Sequence, residues 1–247
     1  MFDQIKRKLY NRLQLKVFQG NEVYCPCCNG HFITFLPGGA TRRRPHAKCP
    51  QCGALERHRL LWYFITEKTK LLSQPGRLLH IAPEELFFKK FASNTNIEYV
   101  PGAKFGEGYY DTYPAGTQDM DITNLTLGDN SFDSIICSHV LEHIPDDRKA
   151  MQELYRVLKP SGWAILQVPL DTSLKHTYED FSITDPHERE KAFGQYDHVR
   201  QYGKDYETRL RDSGFTVKRN SFAYNLPHED RFRLGIIPED IFYCTKQ

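Results

Sequence analysis

Short runs of consecutive apolar residues alternate along this chain with stretches whose apolar positions recur every three or four residues, from about residue 77 onward. The first pattern fits strands buried on both faces, and the second fits amphipathic helices laid over them. RLLHIA (77–82), Ile97–Val100, Gln118–Ile122, SFDSIICS (131–138), WAILQVP (163–169), FTVKRN from Phe215 and Asp240–Cys244 are the predicted strands. Helices are predicted to open at Glu84–Phe91, to run over Asp146–Leu158 up to the break Lys159-Pro160-Ser161-Gly162, and to run over Tyr202–Ser213 up to Gly214. Gly102–Thr117 is a Gly/Tyr-rich loop. Upstream, Leu60, Leu61, Phe64 and Ile65 share one face of a predicted helix over Glu56–Leu72, and Phe2, Ile5, Leu9, Leu13 and Val17 also recur at helical spacing. Strands alternating with helices predict an α/β fold, a doubly wound and mostly parallel sheet covered on both faces.

Composition sharpens this picture in two places. Hydrophobic residues make up 40% and charged residues 26%, the balance of a globular chain that can bury a core. No apolar run approaches the roughly 20 residues that a membrane-spanning helix needs. The N-terminal MFDQIKRKLYNRLQLKVF is basic and amphipathic and lacks the apolar core and cleavage site of a secretory signal, so a cytoplasmic location is expected. Net charge is only +2, but residues 1–72 carry a net +9 and the remainder −7. Such an asymmetry fits either contact with an anionic partner or attraction to the acidic remainder of the chain.

Four of the seven cysteines form two pairs, Cys25-x2-Cys28 and Cys49-x2-Cys52, with 20 residues between the pairs. Two intervening residues let both thiolates of a tight turn face one metal, and a second such turn closes a tetrahedron. Asn29-Gly30 and Gly53 follow the second cysteine of each pair, where left-handed backbone helps the turn. A structural Zn(II) held by Cys25, Cys28, Cys49 and Cys52 is therefore predicted. Cys27, His31 and His46 are bystanders in this reading, and Cys137 and Cys244 are small buried hydrophobes. Arg42, Arg43, Arg44, Lys48, Arg57 and Arg59 cluster around the knuckle. They could grip phosphate or carboxylate, or form a solvated face.

The run 121–169, DITNLTLGDNSFDSIICSHVLEHIPDDRKAMQELYRVLKPSGWAILQVP, resembles class I S-adenosylmethionine-dependent methyltransferases of the methyltransferase-11 type. The parts occur in the family's order: Asp121 after a third strand, Phe132-Asp133 entering a fourth, SHVLEH (138–143) after it, and Arg156-Val157-Leu158-Lys159-Pro160 before a fifth. The cysteine string joined to CGALERHRLLW, with the loop HIAPE (80–84), is similar to a subgroup of such enzymes with a zinc knuckle. The resemblance implies a seven-stranded Rossmann-like sheet with a small zinc-ribbon module. The expected divisions are 1–22 for an N-terminal helix, 23–55 for the zinc ribbon and 56–247 for the methyltransferase domain.

It also implies a place for the methyl donor, at the switch point where strand ends open a crevice. Asp121 and the backbone of Ile122 would read adenine, His80, Ala82, Pro83 and Glu84 would line the first loop, and Ser138 and His139 would face the methionine end. Ala82 and Pro83 replace the family's loop glycines, and Ala103 stands where an acidic residue usually binds ribose, with Glu107 or Asp111 as substitutes. For the chemistry itself, His139, His143 and His198 are candidate general bases, oriented by Asp197 or Glu142. His139 and His143 share a face four residues apart, but no third metal ligand is evident from spacing. Three functions remain open: a methyltransferase acting on a small-molecule or sugar-like acceptor, an RNA methyltransferase binding RNA through residues 41–59, and a catalytically silent binding protein.

Overall fold

The computed structural model describes residues 15–39, 43–106 and 113–247. The chain forms two compact units, one taking residues up to Lys70 together with Ser221–Asp240, the other Leu71–Asn220 with Ile241–Gln247.

The first unit begins, among the described residues, with the hairpin of β1 (Gln19–Cys25) and β2 (Gly30–Phe32) and continues with the pair β3 (Leu36–Gly38) and β4 (Arg44–Lys48). Helix α1 (Glu56–Lys68) follows and buries Leu60, Leu61, Phe64 and Ile65, the face that its periodicity predicts. The excursion 221–240 adds two short helices to this unit, Phe222–Asn225 and His228–Leu234. The predicted N-terminal helix falls mostly on residues outside those described; helix is present at 15–18, and Val17 is 68% exposed.

The second unit is built on a seven-stranded sheet. Its strands are β5 (Gly76–Ile81), β6 (Ile97–Ala103), β7 (Gln118–Asp119), β8 (Phe132–Ser138), β9 (Leu158–Gln167), β12 (Thr216–Asn220) and β13 (Ile241–Thr245), in the order β12-β13-β9-β8-β5-β6-β7. The five strands β7-β6-β5-β8-β9 run parallel, and β13 is antiparallel to both β9 and β12. Leu78, Leu79, Ile135, Ile136, Cys137, Ala164, Ile165 and Leu166 on the central strands are fully buried, as continuous apolar runs require in a sheet covered on both faces. Helices α2 (Glu85–Ala92), α3 (Asp147–Val157) and α5 (Tyr206–Asp212) alternate with the strands. This is the Rossmann-like methyltransferase fold.

Polar staples fix the edges. The Asp133 carboxylate, at the start of β8, accepts from the Arg77 backbone N–H and from Lys159 Nζ at 2.8 Å, which ties β5, β8 and β9 at one end. Arg156 donates to the carbonyls of Leu125 and Leu127 and to Asp129, and so sews the 125–129 loop to α3. Asp133, Arg156 and Lys159 of the 121–169 motif thus hold the fold together.

Some boundaries differ from the sequence reading. The strand read over Gln118–Ile122 pairs only at Gln118–Asp119, and β9 starts at Leu158, taking in the Lys159–Gly162 segment. The segment 186–193, for which the apolar pattern predicts no element, is a helix α4 (Pro186–Phe193), flanked by the two-residue strands β10 (Tyr178–Glu179) and β11 (Arg200–Gln201).

Candidate functional site

In the first unit the sulfurs of Cys25, Cys28, Cys49 and Cys52 converge, all within 4.8 Å of one another. Cys25 Sγ lies 3.7 Å from Cys52 Sγ, and Cys28 Sγ lies 3.7 Å from Cys49 Sγ. A tetrahedron with metal–sulfur bonds of about 2.3 Å has edges of about 3.8 Å, so the set is compatible with zinc. Asn29 (φ 56°) and Gly53 (φ 74°) take left-handed backbone after each pair. Cys27 faces elsewhere, its thiol donating to the His58 carbonyl at 3.6 Å, and His46 stacks on Phe232 at 4.6 Å.

The basic cluster around the knuckle is not a uniform cationic face. Arg59 is fully buried and donates to the carbonyls of Ala54, Leu234 and Gly235. Arg44 is paired with Glu56 through two bonds of 2.8 and 2.9 Å. Arg59 therefore cannot reach a phosphate, which corrects its place in the predicted cluster. Arg42 lies outside the described residues.

In the second unit, strand order reverses between β5 and β8, which pair in parallel register with Ile81 opposite Cys137. The loop after β5 and the loop after β8 therefore leave the sheet side by side, at the switch point where α/β sheets open a crevice. Each loop begins with left-handed backbone at a non-glycine residue, Ala82 (φ 51°) and His139 (φ 56°). Ala82 N–H donates to the Gly102 carbonyl at 2.8 Å, and His139 N–H to the Gln167 carbonyl at 2.8 Å. Both turns are held by neighbouring strands, as strained backbone must be to persist. Pro83 follows, and Glu84 caps α2 with a half-buried carboxylate 3.3 Å from His80 Nε2.

His80 itself is an interior residue. Its ring is fully buried against Phe87, Phe91 and Tyr99, with Nδ1 2.9 Å from the Tyr99 hydroxyl. Burial, with Glu84 nearby, pushes the Tyr99 phenol above its ordinary range. His80 thus stands behind Glu84, in the interior rather than lining an opening.

Asp121 follows β7, and its Oδ1 accepts from the backbone N–H and the hydroxyl of Thr123 at 2.8 and 2.6 Å. Lys104 Nζ lies 3.0 Å from Oδ2. The Thr123 bonds, helped by Lys104 and only partly opposed by burial, hold the carboxyl below its ordinary value. Ile122 is buried, and only its backbone is available to a ligand. Ala103 closes β6 with its side chain buried, while Glu107 and Asp111 lie outside the described residues.

The one-turn 3-10 helix Leu141–His143 carries Glu142 and His143. His143 Nδ1 lies 3.3 Å from Asp197 Oδ2, and the His143 and His198 rings meet edge to face with centroids 4.7 Å apart. Burial disfavours the His143 imidazolium, but the Asp197 and Glu142 carboxylates outweigh it and raise its pKa. His198 is driven the other way, mainly by burial. The structure thus brings His143, His198 and Asp197 together, with His139 at the start of the same loop.

A buried arginine of the DHVRQYG string (197–203) holds this turn. Arg200, 1% exposed, donates to the carbonyls of Leu141, Ile144 and Pro145, and its Nε donates to Glu179 at 2.9 Å. Tyr202 OH donates to Asp147 at 2.7 Å, and Arg209 bridges Asp147 and Glu179 at 3.0 and 2.9 Å. The signal available in sequence was the DHVRQYG string itself. Sequence also assigned Glu142 only an orienting part, yet its carboxylate joins His143 and His198 in a group whose donor atoms all lie within 4.8 Å of one another.

Residues 87–166 match the family model described as a methyltransferase domain. The ubiquinone/menaquinone biosynthesis C-methyltransferase UbiE of Hydrogenovibrio crunogenus is 46% identical over 50 residues, 19% of this chain and 20% of that protein. The arsenite methyltransferase of Aquipseudomonas alcaligenes is 31% identical over 100 residues, 40% of this chain and 27% of that protein. The matches therefore span only about a fifth to a quarter of the length of these relatives. Among solved structures, the crystal structure of the [4+2]-cyclase SpnF aligns with a TM-score of 0.51 and 15% identity, covering 87% of this chain and 88% of that one. That likeness concerns the fold.

Proposed function

We propose that the chain is an S-adenosylmethionine-dependent class I methyltransferase acting on a small-molecule acceptor at oxygen or nitrogen, with a structural Zn(II) in its four-cysteine module. The observation that carries the reading is the pairing of two left-handed loops, HIAPE after β5 and SHVLEH after β8, across the switch point of the sheet. Each loop sits where backbone and short side chains can approach a ligand closely. The methyltransferase-domain match over residues 87–166 and the names of the curated relatives support methyl transfer to a small molecule, and do not bear on the atom methylated.

The donor supplies an electrophilic methyl on sulfonium, and the protein's task is alignment in a site shielded from water. Glu84, held by His80, would take the donor's ammonium. Asp121 and the Ile122 backbone would take the adenine edge, and Ser138 and His139 would stand beside the methionine moiety. A base among His139, His143 and His198 would accept the proton of a hydroxyl or amine acceptor, with Asp197 steadying His143.

Two other readings were open. RNA binding through residues 41–59 loses support, because Arg59 is buried and Arg44 is neutralised by Glu56. A silent binding protein is separated by calorimetry with S-adenosylhomocysteine and the full chain. One-to-one binding that Glu84→Lys weakens at least tenfold is expected; no heat at millimolar ligand would remove the methyltransferase reading.

A further inference from the structure

Glu142 is the least explained charged residue among those described in the second unit. It is 1% exposed, and neither carboxylate oxygen accepts a hydrogen bond. The nearest basic group, His139 Nδ1, stands at 3.4 Å without making one. A carboxylate taken out of water without donors is strongly unfavourable unless a cation compensates it. An imidazolium at His143 would still leave both oxygens without a donor, since no hydrogen bond joins that ring to Glu142.

The surroundings of Glu142 have the character of a ligand set. His198 Nδ1 lies 3.1 Å from the Phe193 carbonyl, and a bond donated there fixes the ring's tautomer and leaves Nε2 as an acceptor. His143 has the Asp197 carboxylate 3.3 Å from its Nδ1, a charge placed where the outer support of a metal-binding imidazole commonly stands. The backbone is also prepared: Val199 N–H donates to the Glu142 carbonyl at 3.0 Å, and Arg200 fastens the turn from the other side. Donor atoms of Glu142, His143 and His198 lie within 4.8 Å of one another. Metal–donor bonds of about 2.1 Å bring ligands to roughly 3.0–4.2 Å apart, so a small contraction completes the site.

We propose that Glu142, His143 and His198 bind one divalent transition-metal ion, at a site distinct from the four cysteines. Two imidazoles and one carboxylate suit Fe(II), Co(II), Mn(II), Ni(II) or Zn(II) and leave coordination positions open to oxygen or nitrogen donors. The turn that carries Glu142 and His143 follows β8, with one residue between it and His139, so the site stands in the loop at that end of the sheet. The ion would answer the Glu142 charge and tie the 3-10 turn to the segment 193–200.

The test uses the full chain with its resident zinc counted beforehand, titrated with Co(II) in the absence of any methyl donor, so that its outcome is independent of the methyltransferase reading. One further equivalent of cobalt should bind, with weak ligand-field absorption and no thiolate-to-cobalt charge-transfer band. Glu142→Gln and His198→Gln should each weaken binding at least tenfold, and Asp197→Asn, acting through His143, roughly 10–100-fold. Far-UV circular dichroism checks that the variants fold; if Glu142→Gln does not, His198→Gln decides. The proposal fails if cobalt does not bind at millimolar concentration, if it binds only with a thiolate band, or if a folded Glu142→Gln or His198→Gln variant retains the parent affinity.

Discussion

Arg200 shows how much one buried side chain can organise. Its guanidinium meets three backbone carbonyls of the turn after β8 and the Glu179 carboxylate, which matches the planar fork of donors that arginine offers and lysine does not. Arg200→Ala removes the guanidinium from those carbonyls and leaves Glu179 to Arg209, so a loss of about 3–5 kcal/mol is expected from urea unfolding. Arg200→Lys should fall between the two, since it keeps charge and loses the fork. A midpoint unchanged in Arg200→Ala would mean that the turn holds itself. Glu179 gives the same network a pH signature. Burial raises its pKa, but Arg209 and Arg200 outweigh burial and leave it depressed. A depressed carboxyl contributes stability above its unfolded value of about 4.3, and that contribution is lost as pH falls through the lower folded value. The urea midpoint should therefore drop as the solution is taken from about pH 5 toward pH 3, and Glu179→Gln should make that drop shallower.

Among the elements, those with strong apolar runs were legible in the sequence. SIIC and AILQV could only be central strands, and the strands fell within a few residues of prediction. Helix α4 was missed although Asp185, Pro186 and Gly194 mark its ends: the Asp185 carboxylate accepts from two backbone N–H groups, Pro186 starts the first turn, and Gly194 (φ 85°) stops it. Only Phe193 of its residues is buried, so no apolar period announced it. The two loops after β5 and β8 were legible as segments, but the burial of His80 and the orphaned carboxylate of Glu142 were not, because side-chain direction at a loop depends on neighbours distant in sequence. Ala82 links sequence to element most directly. A β-branched residue tolerates φ near 51° far less well than alanine does, and glycine tolerates it best. Ala82→Val should cost about 2 kcal/mol and abolish S-adenosylhomocysteine binding by calorimetry, while Ala82→Gly keeps both within about 1 kcal/mol. Normal binding by Ala82→Val would show that the loop after β5 has no close approach to make.

At the level of the whole molecule, the chain passes between its two units three times, after Lys70, Asn220 and Asp240. The last two passages bracket an excursion inserted between β12 and β13, strands that pair with each other over Thr216–Asn220 and Ile241–Thr245. Each unit buries its own core: Val23, Phe35, Ala47, Phe64 and Ile65 in one, and the central strands of the sheet in the other. The first core is small, and its loops converge on the four sulfurs, so bound zinc should supply much of its folding free energy. Structural zinc contributes about 10–16 kcal/mol in isolated knuckle peptides, and a strong chelator removes that contribution. Hydrogen exchange followed by mass spectrometry should then show α1 and β1–β4 losing protection after chelation, while amides of β5, β8 and β9 keep theirs. Cys49→Ser should give the same pattern without chelator, together with loss of stoichiometric zinc. If protection in the sheet collapses together with that of α1, the two cores fold as one cooperative body and the zinc stabilises the entire chain.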